Sequence, residues 1–534
     1  HYILPNLYIF YAIWQLITII FCQTYIFFMR FGKIYRIFFG RSIKKSYLCS
    51  HKSKTDIHMQ KIVGRHSVIT ELEELYNSGK PEFVAVYGRR RVGKTYLIRE
   101  LFANRMAFYH TGLSNLENEY KMILASQLMN FDSSLRRYGH QAKGITSWMR
   151  AFDCLIDLLK EKIEKDPGKR LVVFIDELPW MDTPRSQFVS ALEHFWNGWG
   201  AGQPQLMLIV CGSATSWIAD NLIHNHGGLH GRLTAQIKLH PFTLAECEEY
   251  YKENGITLDR YSQLKLYMTI GGIPYYMSFI RKGKSLEQNT EMLFSSHDAK
   301  LQDELSQLFR SLFTNHEECL AIARLLATRR TGFTRKEIAT KAGVTYGGGL
   351  TKTLKILEES DFIQSYTYYG TPQKETRYRL VDFFTIYWIC AIENGKNQKS
   401  LTSWFGFAFE ALCWYHITEI KNALGIKSVA TEQFTWRTEA TDEHPGAQID
   451  LIIRRADRTQ NICEIKFYDS EYIIDKEDDL RFRNRIGLYQ KLTKCRETIL
   501  PTIITTYGLT PNQYSNFIQS TITMDDLFVR IREM

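Results

Sequence analysis

No two cysteines of the 534-residue chain stand in a C-x-x-C spacing, and the ten present, scattered from Cys22 to Cys495, gather with no histidine cluster. That excludes a zinc module and a disulfide framework, and it fits a reducing, cytosolic setting. Proline and glycine, at 12 and 33 residues, are too sparse for a collagen-like or low-complexity chain. What remains, 45% hydrophobic and 23% charged, is ordinary globular content with room for about three domains.

A one-sided charge is also missing from most of the chain. The formal net charge is +10, but residues 1–58 hold eight Lys/Arg against Asp56 alone, so only about +3 belongs to the rest. Any electrostatic case for nucleic acid has to be made patch by patch. The same leader has no charged residue from 2 to 29, and residues 8–28 are long enough to cross a bilayer as a helix. Arg30, Lys33, Arg36, Lys44 and Lys45 follow, which puts the C-terminal side of such an anchor in the cytoplasm. No small-residue cleavage site follows. The second reading of residues 1–58 is a start foreign to the native protein, because the segment begins at His1 and is monotonously rich in Tyr, Ile, Phe and Lys. Met59 then opens the first domain. The expected location is cytoplasmic, or membrane-anchored with the body on the cytoplasmic side if the leader is genuine.

From Ser67, a possible helix cap, Val68, Leu72 and Leu75 recur at helical spacing until Gly79 and Pro81 end the pattern. A short apolar run, residues 83–87, leads into Gly88-Arg89-Arg90-Arg91-Val92-Gly93-Lys94-Thr95, and Leu97, Ile98 and Leu101 then mark a helix face. Strand, glycine loop and helix in this order form a P-loop in its required context. The glycines let backbone N–H groups of the loop turn toward phosphate, and the helix N-terminus adds positive dipole. Lys94 is expected on the β and γ phosphates of ATP, and Thr95 on Mg2+.

A buried strand ending in acids should partner that loop, and residues 171–177 supply it: a continuous apolar run closing on Asp176 and Glu177. Asp176 is expected to hold Mg2+ through water, and Glu177 to orient or deprotonate the attacking water. Residues 205–211 form another apolar strand, ending at Gly212-Ser213, where the Ser213 hydroxyl could sense the γ-phosphate. Arg232 is the candidate to neutralise transition-state charge, in cis or from a neighbouring subunit.

Residues 59–310 resemble the archaeal-type P-loop ATPases allied to AAA+ and STAND switch proteins. The resemblance rests on Val63-Gly64-Arg65, the phosphate loop, Ile175-Asp176-Glu177-Leu178-Pro179-Trp180, Cys211-Gly212-Ser213-Ala214-Thr215-Ser216-Trp217 and Gly271-Gly272-Ile273-Pro274. It implies that Gly64, Arg65 and Pro274 lie near adenine. His66 stands where an acid is common.

Residues 315–385 read as three helices (319–327, 334–342, 350–359) and a two-stranded ribbon around Gly370. Leu350, Leu354 and Leu357 point inward on the third helix; Thr351, Lys352 and Lys355 point outward, with Arg335 and Lys336 on the preceding helix. The order resembles a winged helix-turn-helix, which implies DNA as a partner, although such domains also serve as protein connectors.

Residues 404–415 read as a buried helix carrying one charge, Glu410, which needs a metal, a base or an edge position. Strands at 448–453 and 461–467 flank a polar stretch. If they pair as a hairpin centred near Asp457, Asp450 lies opposite Glu464, and Lys466 shares the face of Glu464. Mg2+ between the two acids would relieve their repulsion and lower the pKa of a bound water, with Lys466 orienting that water. Residues 400–534 resemble the PD-(D/E)xK nucleases: Asp450 and Glu464-Ile465-Lys466 match the two-part motif and Glu410 its helix acid. Gln448 occupies a place where proline is often expected. A solvated Asp/Glu/Lys hairpin face is the plain structural alternative.

The expectation is an α/β chain: a P-loop NTPase with parallel sheet over 59–245, a helical lid over 246–310, a winged helix-turn-helix over 311–395 and a restriction-endonuclease-like domain over 400–534. Its expected function is an ATPase switch, forming homo-oligomers, that acts on DNA either as a Mg2+-dependent nuclease or as a non-cleaving regulator or scaffold.

Overall fold

The computed structural model describes residues 62–114, 120–141, 144–224, 227–370, 376–393 and 398–531. The leader, with its candidate span, lies outside them. Among the described residues no helix is long and apolar enough to cross a membrane.

Five short strands, β1 (Glu82–Tyr87), β2 (Met106–Thr111), β3 (Leu171–Asp176), β4 (Leu206–Gly212) and β5 (Ala235–Lys238), form a parallel sheet in the order β2-β3-β4-β1-β5. Because a strand alternates its side chains, each apolar run feeds two cores. Phe83, Ala85, Val173, Ile175, Leu208 and Val210 meet Trp148, Phe152, Phe188 and Phe195 of the helices on one face. Val84, Val86, Val172, Phe174, Met207 and Ile209 meet Leu72, Leu97 and Ile98 on the other. Burial on both faces is what continuous apolar runs require. The first helix is His66–Asn77, two residues earlier than a Ser67 cap would allow; Arg65, in left-handed backbone (φ 57°), takes the cap position without a side-chain bond.

Past the helices between residues 244 and 312 lie three helices, His316–Ala327, Arg335–Ala342 and Gly348–Glu359, with an antiparallel sheet of β6 (Phe333–Thr334), β7 (Ile363–Tyr366) and β8 (Arg377–Leu380) in the order β6-β8-β7. Thr334 caps the second of these helices in a reciprocal bond pair with Glu337. Leu350, Leu354 and Leu357 are buried, as the spacing predicts.

The C-terminal sheet contains β9 (Thr431–Thr438), β10 (Ala447–Arg455), β11 (Thr459–Lys466), β12 (Thr498–Thr505) and β13 (Ser520–Ile522), in the order β13-β12-β11-β10-β9. The helices Gln398–Tyr415 and Lys476–Thr493 accompany it. Leu451, Ile453, Cys463 and Ile465 belong to the same hydrophobic core as Val84 and Leu97 of the first sheet. Ile449, Ile452 and Ile462 pack with Phe482 and Tyr489 in a separate core.

Candidate functional site

The phosphate loop joins β1 to the helix Lys94–Leu101. Gly88 has φ 138°, and a Cβ there would meet the Leu239 carbonyl oxygen at 2.3 Å, so glycine is required on steric grounds as well as conformational ones. Lys94 is buried, and its ammonium donates to the carbonyls of Gly88 (2.9 Å) and Arg89 (3.0 Å), folded back along the loop that phosphate would fill. The Thr95 hydroxyl donates to Asp176 Oδ2 at 2.8 Å, so the two expected magnesium ligands meet where the first turn of the helix Lys94–Leu101 faces the end of β3. An oxygen-only pair of this kind suits Mg2+.

Glu177 follows Asp176 in left-handed backbone (φ 47°), and its carboxylate accepts from the Ser213 N–H (3.2 Å) and hydroxyl (2.8 and 3.1 Å). The structure thus brings the expected base and the expected sensor into direct contact at the ends of β3 and β4. Arg232 is exposed, and its side chain has no partner among the described residues.

The three loop arginines divide their tasks. Buried Arg89 pairs with buried Asp382, one bond being 3.0 Å, and lies over the Phe362 ring. Arg91 forms two 2.9 Å bonds with Glu304, which also accepts from Tyr276, and stacks over Tyr275 at 3.9 Å. The side chains of Arg89 and Arg91 therefore leave the loop and end on Asp382 and Glu304. Arg90 is half-buried, and buried Val92 offers its carbonyl to Arg65 Nη2 at 3.3 Å. Burial lowers the Arg65 pKa against the pull of Glu246, whose carboxylate accepts the Arg65 N–H at 2.7 Å. A Cβ on Gly64 would crowd that same carboxylate at 2.9 Å. Pro274 opens a short helix whose Tyr275 N–H reaches the Arg91 carbonyl at 3.4 Å. The elements carrying Gly64, Arg65 and Pro274 are thus fastened to the phosphate loop.

A second cluster lies in the C-terminal sheet. Leu451 pairs with Cys463, so Asp450 and Glu464 continue the two strands beyond the last paired residues. The pairing of β10 with β9 skips between Ile449 and Ile452, leaving Asp450 and Leu451 against Thr435 alone. This is a β-bulge, a feature that redirects a side chain from regular alternation. Trp414 of the long helix donates to the Asp450 carbonyl at 3.2 Å. Burial pushes the Glu410 carboxyl up to about 8, with Asp450 adding to the shift and Arg330 opposing it. Burial and then Glu464 push Asp450 up to about 6. Lys466 Nζ lies 3.0 Å from Glu464, and burial, which would lower its pKa, is outweighed by that carboxylate.

Two further participants carry no sequence signal of their own. Arg330 pairs with Glu410 and lies 3.5 Å from Asp450, and Arg485 pairs with Glu464. Among the described residues no group of three or more His, Cys, Asp or Glu gathers as a metal cluster. Cations are interleaved among the acids instead.

On the third helix of the middle unit, Thr351, Lys352 and Lys355 are exposed. Lys355 nevertheless pairs with Asp220 of the first sheet's domain at 3.1 Å. Lys336 is exposed, and half-buried Arg335 donates to the Gly347 carbonyl and stacks over Tyr346.

Residues 62–280 match the model of a family described as an ATPase domain predominantly from Archaea. An uncharacterized protein of Methanocaldococcus jannaschii is 24% identical over 434 residues, covering 76% of this chain and 88% of that protein. Among solved structures, the Walker-type ATPase PABY2304 of Pyrococcus abyssi aligns with 62% of this chain and 96% of its own, at 19% identity and TM-score 0.43. The Aeropyrum pernix ORC2 protein aligns with 63% of this chain and 96% of its own, at 14% identity and TM-score 0.39. With its phosphate loop, its paired Thr95 and Asp176 and its parallel sheet, the chain carries over residues 62–280 an ATPase domain of the archaeal P-loop type.

Proposed function

We propose that the protein is an ATP-driven switch whose nucleotide state is passed from the phosphate loop to a DNA-binding winged helix and a nuclease-like C-terminal domain. The observation that carries the reading is the pair of loop arginines: Arg89 and Arg91 sit in the segment that grips phosphate, yet their guanidinium groups are committed to Asp382 and Glu304. A loop that reshapes around triphosphate has to move those partners or be held back by them. Such coupling requires a different nucleotide affinity in each arrangement.

In this reading Lys94 leaves the Gly88 and Arg89 carbonyls for the β and γ phosphates, and Thr95 and Asp176 hold Mg2+. Glu177 takes up the proton of the attacking water once its contact with Ser213 loosens. Arg65, Gly64 and Pro274 frame the adenine side. Arg232 completes the site of a neighbouring subunit in a homo-oligomer. At the far end Asp450 and Glu464 would hold a second Mg2+, with Glu410 behind them and Lys466 steadying the attacking water. When bound there, Mg2+ supplies a water of lowered pKa and a grip on the phosphodiester.

A non-cleaving regulator is the second reading, and the ion pairs that occupy all three C-terminal acids favour it. ATP turnover tests the first step: Lys94→Ala should lose nucleotide binding, and Glu177→Gln should bind ATP while turning over about 10²–10⁴-fold more slowly. A Glu177→Gln protein of undiminished turnover contradicts the assigned base. Plasmid DNA with Mg2+, with and without ATP, decides between cutter and regulator. Cleavage by the parent protein that vanishes in Asp450→Ala and Lys466→Ala supports the nuclease, and equal inactivity of all three supports the regulator.

A further inference from the structure

We infer that Arg330 is a built-in occupant of the cation position in the C-terminal acid site, through which the three-helix unit keeps that site closed to divalent metal. The inference rests on the nuclease-like reading of the site and goes beyond it.

Arg330 belongs to the turn between the helix His316–Ala327 and β6, not to the domain that contributes the acids. Its guanidinium pairs with Glu410 from the long helix and reaches Asp450 on the bulge of β10 at 3.5 Å, so one cation serves two carboxylates from two different elements. Asp450 is one of the two acids proposed to hold Mg2+, so the guanidinium sits on a carboxylate that a divalent ion would need. The third acid, Glu464, is held separately by Lys466 and Arg485.

The turn presents Arg330 from fixed backbone. Neighbouring Arg329 donates to the Gly332 carbonyl at 2.8 Å and pairs with Glu337 at 2.8 Å, and the Tyr366 hydroxyl donates to the Thr331 carbonyl at 2.8 Å. Gly332 has φ 54°, and a Cβ there would meet the Tyr378 carbonyl oxygen at 2.0 Å. Arg330 itself is not sealed in. It is 34% exposed and lines a cavity of about 350 Å³ with Arg379, Trp414 and Gln448, which leaves it room to swing.

Arg330 and a divalent cation compete for the same oxygens. Metal coordination needs the carboxylate oxygens at roughly 2.0–2.6 Å, a shell from which a guanidinium on the same atoms is excluded. The group suited to draw Arg330 away is a phosphodiester, whose oxygens match the guanidinium fork. Entry of a nucleic-acid backbone into the cavity would transfer Arg330 from carboxylates to phosphate and free Glu410 and Asp450 in the same event.

Calorimetric titration of the nucleotide-free full-length chain with Mn2+ alone tests this without any catalytic readout. Arg330→Ala should bind Mn2+ at least about tenfold more tightly than the parent, equivalent to about 1.4 kcal/mol, and Arg330→Ala/Asp450→Ala should lose the gain. Arg330→Gln, which keeps hydrogen bonding and drops the charge, serves if the alanine variant does not fold. Unchanged Mn2+ affinity in a folded Arg330→Gln or Arg330→Ala protein overturns the inference. Tight Mn2+ uptake by the variant with plasmid left uncut upholds the lock and overturns the nuclease reading alone.

Discussion

At the scale of single residues, chemistry and sterics leave little freedom at several positions. Gly88→Ala must push the Leu239 carbonyl aside from left-handed backbone, and a loss of about 1–3 kcal/mol in denaturant unfolding is expected. His416 is buried with both ring nitrogens in use: Nε2 accepts the Leu244 N–H at 3.2 Å, so the proton sits on Nδ1, which faces the Leu412 carbonyl at 3.1 Å. A second proton would set two donors against each other. Burial accordingly lowers its pKa from 6.5 to about 4. Between those values the unfolded chain binds more protons than the folded one, so stability declines as pH falls through the window. The part due to this residue is on the order of 3 kcal/mol. His416→Gln should flatten the slope of melting temperature against pH between 6.5 and 4. The phosphate loop, Asp176 and Glu177 were legible as types at fixed spacing because their chemistry is local. Arg330 and Arg485 were not, since one guanidinium among many has meaning only once the fold brings an acid to it.

At the scale of elements, apolar runs and helical spacing foretold the strands β1, β3 and β4, the three middle helices and the β10–β11 hairpin. The hairpin turns where expected because Leu451 faces Cys463 and Arg454 faces Gln460. The bulge at Asp450 was invisible, because one extra residue in a strand leaves no mark on composition and depends on the partner strand. The docking of the third helix was equally hidden. Lys355, expected on a solvent face, meets Asp220. An exposed pair of this kind contributes about 0–1 kcal/mol. Asp220→Ala should therefore leave thermal stability nearly unchanged while raising affinity for labelled duplex DNA by up to about fivefold at low salt, if that helix is the DNA-facing element. Fluorescence anisotropy across a salt series measures this, and an unaltered affinity would count against the assignment.

At the scale of the whole described body, ion pairs and shared packing join parts that the sequence presents as successive modules. Arg89 and Asp382 are each about 2% exposed, and removing one leaves the other charged and buried. Arg89→Ala should cost about 3–5 kcal/mol, far more than a surface pair would. Because the first sheet and the C-terminal sheet contribute to one hydrophobic core, a non-hydrolysable ATP analogue at a hundredfold excess over its Kd should raise the melting temperature seen by C-terminal and N-terminal probes alike, adding about 2.7 kcal/mol. Separate transitions, with only the ATPase region shifting, would refute this. The shared core also bears on truncation. Because it runs from the first sheet to the C-terminal one, cutting the chain within residues 62–531 would lay apolar seams open to water on both pieces.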